Sequence, residues 1–140
     1  MLEQLKTIAN LAIEMWNTGD LSRFDEVYAT NYVNHDPSRP DVVDYESVKA
    51  MIAENHKSIH GFKQIVGDLI IENDKIVSRW AVTGTHTGPL GGIPPTGKKI
   101  NFTGMTISRV EQGKIVEGWW NYDMLGLLQQ LGVIPSMQET

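Results

Sequence analysis

The residues best suited to chemistry gather near the end of the chain. From Gly113 to Gly132 the sequence reads Gly-Lys-Ile-Val-Glu-Gly-Trp-Trp-Asn-Tyr-Asp-Met-Leu-Gly-Leu-Leu-Gln-Gln-Leu-Gly, a turn, a strand and a closing helix. Gln112-Gly113 makes a two-residue hairpin turn, because Gly takes positive φ without steric cost. Period-two alternation then puts Ile115, Glu117, Trp119, Asn121 and Asp123 on one face, and Val116, Gly118, Trp120 and Tyr122 on the other. Two carboxylates, an amide and an indole suit a pocket wall better than a core. On that turn Phe102 opposes Asp123, which places a carboxyl beside a ring in a partly apolar cavity. Desolvation there raises a carboxyl pKa towards working pH, as a general acid/base requires. The same position, where strand gives way to helix, equally suits an N-cap aspartate on solvent. Glu117 lies about 20 Å from Asp123 at ~3.3 Å per residue, too far for a dyad. It reads as a structural partner of Arg79, Arg109 or a lysine.

The other polar candidates each carry two readings. His35, just before Asp36-Pro37, either donates to a substrate carbonyl or takes a proton near neutral pH, or simply bonds backbone at a strand end. His86 shares strand phase with Trp80 and Val82 and either lines a pocket mouth or braces the loop that follows. Arg79 pairs with Asp68 across an Asn73-Asp74 hairpin, or, in the opposite phase, points inward to bind a carboxylate or ester oxygen. His56 and His60 stand four apart on a helix but lack a third ligand, so no metal site is expected. Trp16, Trp80, Phe102 and Trp119 offer stacking surfaces to a flat ligand. One of Trp119 and Trp120 must point away from the pocket, towards a partner copy.

Several classes of function have no support. The chain has 140 residues, no cysteine and a formal charge of −5, the size of one domain without the basic face of a nucleic-acid binder. Thiol catalysis and zinc–thiolate sites are excluded. No apolar run approaches the roughly 20 residues that span a bilayer, and the start carries no signal-peptide core. Cytoplasm is the expected compartment. There is no Gly-x-Ser-x-Gly elbow, phosphate loop or dinucleotide fingerprint.

The elements that must position these residues follow from periodicity. Leu2, Leu5, Ile8, Ala9, Ala12, Ile13 and Trp16 form a helical stripe, broken at Asn17-Thr18-Gly19-Asp20, with Asp20 capping a second short helix. Tyr32 to Pro37 is a short extended piece. A third helix runs from a cap at Asp44 or Ser47 to about His60, buries Val48, Met51 and Ile52, and stops at Gly61. Residues 62–71, 76–86, 100–110 and the stretch from Gly113 up to Asp123 then form strands in meander, with a Gly/Pro-dense loop at 87–98. A short helix closes at Gly132, and 135–140 read as a loose tail. Helices segregated from a mostly antiparallel sheet make an α+β domain over residues 1–134, with ligand space between the layers.

This order of elements resembles the NTF2-like cone-shaped α+β barrel superfamily, and within it the SnoaL-like polyketide cyclase, or ester cyclase, family. The matching words are Trp16-Asn17-Thr18-Gly19-Asp20, Tyr32-Val33-Asn34-His35, Gly84-Thr85-His86-Thr87-Gly88, Pro94-Pro95-Thr96-Gly97-Lys98, Gly113-Lys114-Ile115 with Glu117, Trp119 and Asp123, and Gln130-Leu131-Gly132. The resemblance implies an enzyme that uses no cofactor and closes a ring on a polyketide ester by intramolecular aldol condensation. Asp123 matches its general acid/base, and His35 and His86 are candidates for its pocket histidine. It also implies a hydrophobic small-molecule substrate, bound here by Trp16, Trp80, Phe102, Trp119, Asn121 and Arg79, and a homodimer formed through the open sheet face. The alternatives are a ketosteroid-isomerase-like or epoxide-hydrolase-like enzyme, or a non-catalytic binding protein. A buried Asp123 would favour catalysis; an exposed one, binding.

Overall fold

A computed structural model describes residues 1–135; the remainder of the expected tail, 136–140, lies outside the described residues. The chain begins with α1 (Leu2–Thr18), which buries Leu5, Ile8, Ala9, Met15 and Trp16 and ends at Gly19 in the left-handed region, φ 76°. The one-turn helix α2 (Phe24–Val27) follows. Asp20 does not cap it; its carboxylate accepts from the backbone N–H of Ser22 in the preceding turn. Strand β1 (Tyr28–His35) is longer than its sequence pattern suggests.

Helix α3 (Tyr45–Ser58) starts with a capping box that uses both predicted residues. Asp44 accepts from the Ser47 N–H, and the Ser47 side chain reaches back to the Asp44 N–H. This satisfies two of the orphan donors of the first turn. Gly61 is not its stop. The helix ends at Ser58 and passes straight into β2 (Ile59–Glu72), where Gly61 sits at an irregularity between His60 and Lys63 with φ 67°. Strands β3 (Lys75–His86), β4 (Lys99–Glu111) and β5 (Lys114–Tyr122) complete the meander, and α4 (Met124–Gln130) closes it.

The five strands lie in the order β1-β5-β4-β3-β2, antiparallel except for β1 beside β5. Register slips interrupt β1/β5, β2/β3 and β4/β5, whereas β3/β4 pairs without a break from Lys75↔Arg109 to Thr85↔Lys99. Bulges bend strands and increase twist, so the sheet curls around α1 and α3. The core lies between the inner face and the helices: Trp16, Phe24, Val27 and Ile52 from the helices and Tyr28, Tyr32, Ile76, Trp80, Val82 and Trp120 from the sheet are all buried. A second cluster of Ile59, Leu90, Ile100, Leu127 and Leu131 sits where α4 and the 87–98 loop meet the sheet.

The β4/β5 slip alters the expected phase of β5. After Glu111↔Lys114 and Val110↔Ile115 the partner of Arg109 is Glu117, so Val116 is an extra residue. Ile115 and Val116 are both buried, and one extra residue flips every later side chain. Gly118, Trp120 and Tyr122 therefore face inward, and Glu117, Trp119 and Asn121 face outward.

Candidate functional site

A cavity of about 280 Å³ opens between the inner sheet face, α3, α4 and the 87–98 loop. Its wall is mainly aromatic and aliphatic. Trp16, Phe62, Trp80, Phe102, Trp120 and Tyr122 contribute rings, and Leu90, Ile93, Leu127, Leu128 and Leu131 contribute the side formed by the loop and α4. Three of the predicted substrate-binding residues, Trp16, Trp80 and Phe102, meet here. The rings pack on one another: Trp16 and Trp120 have centroids 4.9 Å apart, and Trp80 lies within 6.1 Å of Phe102, Trp120 and Tyr122. Trp16 donates its indole N–H to the Tyr28 hydroxyl and Trp80 donates to Thr106 Oγ1. Those bonds fix the faces that the two rings show to the cavity.

The other predicted site residues lie elsewhere. Trp119 and Asn121 are on the outer face of the sheet because of the extra residue at Val116. His35 is there too, stacked on Trp119 at 5.4 Å and with Nε2 2.8 Å from Glu117 Oε2. Arg109 holds the other Glu117 oxygen at 3.2 Å, and these partners keep the Glu117 carboxyl below its usual pKa, chiefly through His35. Arg79 points outward and pairs with Asp68 at 2.6 Å, both side chains well exposed. It binds no ligand oxygen in the cone.

His86 is fully buried and braces the loop instead of lining the cavity. Its Nδ1 accepts from the Thr96 backbone N–H at 3.2 Å and lies 2.9 Å from the Thr96 hydroxyl. Its own backbone bonds Lys98 and Gly97. The loop thus returns to its starting point, and Leu90 and Ile93 are pressed onto the cavity. Asp123 is exposed and serves as the N-cap of α4, accepting from the Gly126 N–H at 2.8 Å. It is flanked by two cavity residues, Tyr122 and Met124, but is not itself on the lining. His35, His86 and Asp123 are therefore not brought together.

One carboxyl that sequence reasoning passed over is placed to act. Asp36 is 6% exposed. Its Oδ1 accepts from the backbone N–H groups of Ser38 (2.9 Å) and Arg39 (3.2 Å), and its Oδ2 accepts from the Tyr122 hydroxyl at 3.0 Å. Burial outweighs those three bonds and raises the carboxyl above its ordinary pKa. Tyr122, desolvated and facing that carboxyl, is pushed well above the usual phenol range. Tyr122 lines the cavity, as do Ser38 and Arg39. Arg39 is itself held by Asp41 and Glu54, at 3.0 and 3.1 Å. The arrangement is a buried carboxyl hydrogen-bonded to a tyrosine on the wall of an apolar chamber. Among the described residues no three His, Cys, Asp or Glu cluster as a metal site, and His56 is engaged with the Trp16 carbonyl. No described helix is long and apolar enough to cross a membrane.

Comparison with known proteins agrees with this architecture. Among solved structures, TsrD from Streptomyces laurentii superposes with a TM-score of 0.85 at 26% identity, covering 94% of this chain and 97% of that one. AclR from Streptomyces galilaeus, a candidate hydroxylase, gives 0.82 at 26% identity, with 97% and 89% covered. IdmH from Streptomyces antibioticus, a candidate polyketide cyclase, gives 0.75 at 31% identity, with 92% and 98% covered. No curated protein sequence matches. The family profile described as SnoaL-like polyketide cyclase matches residues 6–131, nearly the whole of the α+β cone. On that match, and with a fold shared across those structures, the chain belongs to the SnoaL-like polyketide cyclase family.

Proposed function

We propose that the protein is a cofactor-independent acid/base enzyme that closes a ring in a hydrophobic carbonyl compound by intramolecular aldol chemistry, with Asp36 and Tyr122 as the proton-transfer pair. Family membership supports a cyclase- or isomerase-type enzyme. The single observation that carries the finer reading is the hydrogen bond from Tyr122, a wall residue, to the buried carboxyl of Asp36. The Tyr122 oxygen takes the substrate α-proton as its own proton passes to Asp36. The resulting enolate attacks a second carbonyl carbon of the same molecule, one carbon–carbon bond forms, and the new alkoxide takes the proton back along the same path. A raised carboxyl pKa matches the carrier to both halves of that cycle. Family position would assign the role to Asp123. Geometry favours Asp36, because Asp123 is exposed and committed to capping a helix.

Proton abstraction is tested without knowing the natural substrate. 1-Tetralone in deuterated buffer exchanges its α-hydrogens, and loss of their NMR signal measures the base directly. Wild type accelerates exchange. Asp36→Asn and Tyr122→Phe lose about 10²–10⁴-fold of that acceleration, while Asp123→Asn stays within a few fold. If Asp123→Asn abolishes exchange and Asp36→Asn does not, the assignment of Asp36 fails. Wild type that binds the ketone without exchanging it is a binding protein. That second reading draws on the scatter of His35, His86 and Asp123 away from the chamber.

A further inference from the structure

One carboxamide on the cavity wall is buried and has no protein hydrogen-bond partner among the described residues. Gln64, on β2, is 9% exposed, and its backbone N–H is taken by Asn17 Oδ1 at 3.0 Å. Its carboxamide makes no hydrogen bond among the described residues, yet it is not sealed from open space as Trp120 Nε1 and His86 Nε2 are. It lies on the inner face, in register with Val82, which pairs in turn with Phe102. Gln64, Trp16, Trp80 and Trp120 also border a smaller void of about 50 Å³ behind the chamber, so they form the chamber's inner end. The indole N–H groups of Trp16 and Trp80 are committed elsewhere. Asn55, the other carboxamide on the lining, is only half-buried.

We infer that Gln64 is a specificity-determining residue whose amide Nε2–H donates to a neutral ring oxygen of a flat substrate inserted between the Trp16 and Trp80 indoles. Because the amide opens onto the chamber, a ligand that displaces water there must supply an oxygen or leave a buried donor unpaired, which is unfavourable. The oxygen is a carbonyl or phenol and not a carboxylate, since among the described residues no Lys or Arg lines this end; Arg39, the one Lys or Arg on the described lining, is at the Ser38–Tyr122 end and already paired with Asp41 and Glu54. At about 280 Å³ the chamber lies at the small end of ligand pockets, which suits a compact fused-ring compound. The assignment rests on the chamber being the substrate site, and deepens that reading by naming what the inner end recognises.

The experiment compares 1-tetralone with tetralin, the same ring system without oxygen, by quenching of tryptophan fluorescence in a Trp119→Phe background that removes the outer-face indole. The ratio of tetralin to tetralone dissociation constants is expected to fall about tenfold in Gln64→Met, which keeps the length and loses the amide. Gln64→Asn, which withdraws the amide by one methylene, carries the test if thermal melts show Gln64→Met to be unfolded. An unchanged ratio with both ligands still bound overturns the role of Gln64 and leaves the proton-transfer reading standing. Binding of neither ligand to wild type overturns both. Binding with the expected ratio change but no α-hydrogen exchange keeps Gln64 and removes the proposed reaction.

Discussion

Replacing Asp36 with Asn should separate stability from chemistry, and its pH dependence has a definite sign. In the wild type three donors converge on the carboxyl, from Ser38, Arg39 and Tyr122. An asparagine with Oδ1 left in place keeps both backbone donors, and its Nδ2–H can donate to the Tyr122 oxygen once that hydroxyl rotates. All three contacts survive as neutral bonds. The loss is then the difference between hydrogen bonds to a charged group and neutral ones, about 1 kcal/mol each and ~3 kcal/mol at most. Against it stands release from burying a carboxylate, a penalty large enough here to raise the pKa above 3.8 despite those bonds. At pH 7 the two offset, and Asp36→Asn should lie within about 1.5 kcal/mol of wild type, a few degrees in Tm for a chain of this length. Asp36→Ala leaves three donors without an acceptor and should cost about 3–5 kcal/mol.

The sign follows from linkage. A carboxyl whose folded pKa is raised binds its proton more tightly folded than unfolded. Its contribution to stability is therefore fully present below the unfolded value and is lost as pH rises through the folded one. Wild type should gain on Asp36→Asn as pH falls from 7 towards 4, because the variant carries every other titrating group unchanged. Urea unfolding of both proteins at pH 7, 6, 5 and 4 measures that difference. If wild type is instead most favoured at pH 7 and its advantage disappears in acid, Asp36 is a stabilised anion, and the reasoning that makes it a proton carrier is wrong.

Two further perturbations probe the frame around the site. A Cβ on Gly104 would meet Trp80 Cζ2 at 2.5 Å and Tyr122 Cβ at 2.6 Å, so Gly104 is the slot across which those rings approach. Gly104→Ala should cost about 1–3 kcal/mol by overpacking and shift the tryptophan emission, both read in one thermal melt; unchanged emission would mean that Trp80 does not depend on the slot. On the outer face, His35, Trp119, Ile107, Val77 and Ile70 form a cross-strand row, with Ile107 38% and Ile70 59% exposed. As the family resemblance implies, we propose that a second copy covers this row. Ile107→Lys should then convert a dimer to a folded monomer in sedimentation, with Tm losing its dependence on protein concentration; a wild-type monomer at all concentrations would refute the pairing.

Much of this architecture was legible in the chain itself. Helical stripes gave α1 and α3 with most of their buried faces, though Leu2 is 51% exposed and Met15, off the α1 stripe, is buried, and Asn73-Asp74 and Gln112-Gly113 turn as two-residue hairpins, Gln112 and Gly113 both at positive φ. Trp80 and Phe102 share the inner face because β3 and β4 pair without a slip, but the expected pairing of Phe102 with Asp123 fails: the register puts Gly104 opposite Tyr122, and the Asp123 N–H donates to the Thr103 carbonyl. Trp16 follows from its helical stripe. Asp36 was missed for a different reason. Beside Pro37 it reads as a turn residue, and nothing local announces Tyr122, 86 positions away.

The errors of strand phase have one cause. Counting from the Asn73-Asp74 turn puts Arg79 opposite Asp68, as observed, and would put Gln64 opposite Thr83 on the outer face. The irregularity at Gly67 lies between Asp68 and Val66, and beyond it Val66 meets Trp80 and Gln64 meets Val82, on the inner face. The extra residue at Val116 does the same to β5, bringing Trp120 and Tyr122 inward and sending Trp119 and Asn121 out. Period-two reasoning is blind to a single inserted residue, because a bulge has no fixed residue type outside its glycine forms. The two polar side chains assigned to recognition and proton transfer, Gln64 and Tyr122, reach the chamber only past such an insertion. Bulges commonly re-aim side chains next to functional sites. The positions where simple alternation fails are thus the positions where this sheet departs from regular pairing to furnish an aromatic chamber with its polar groups.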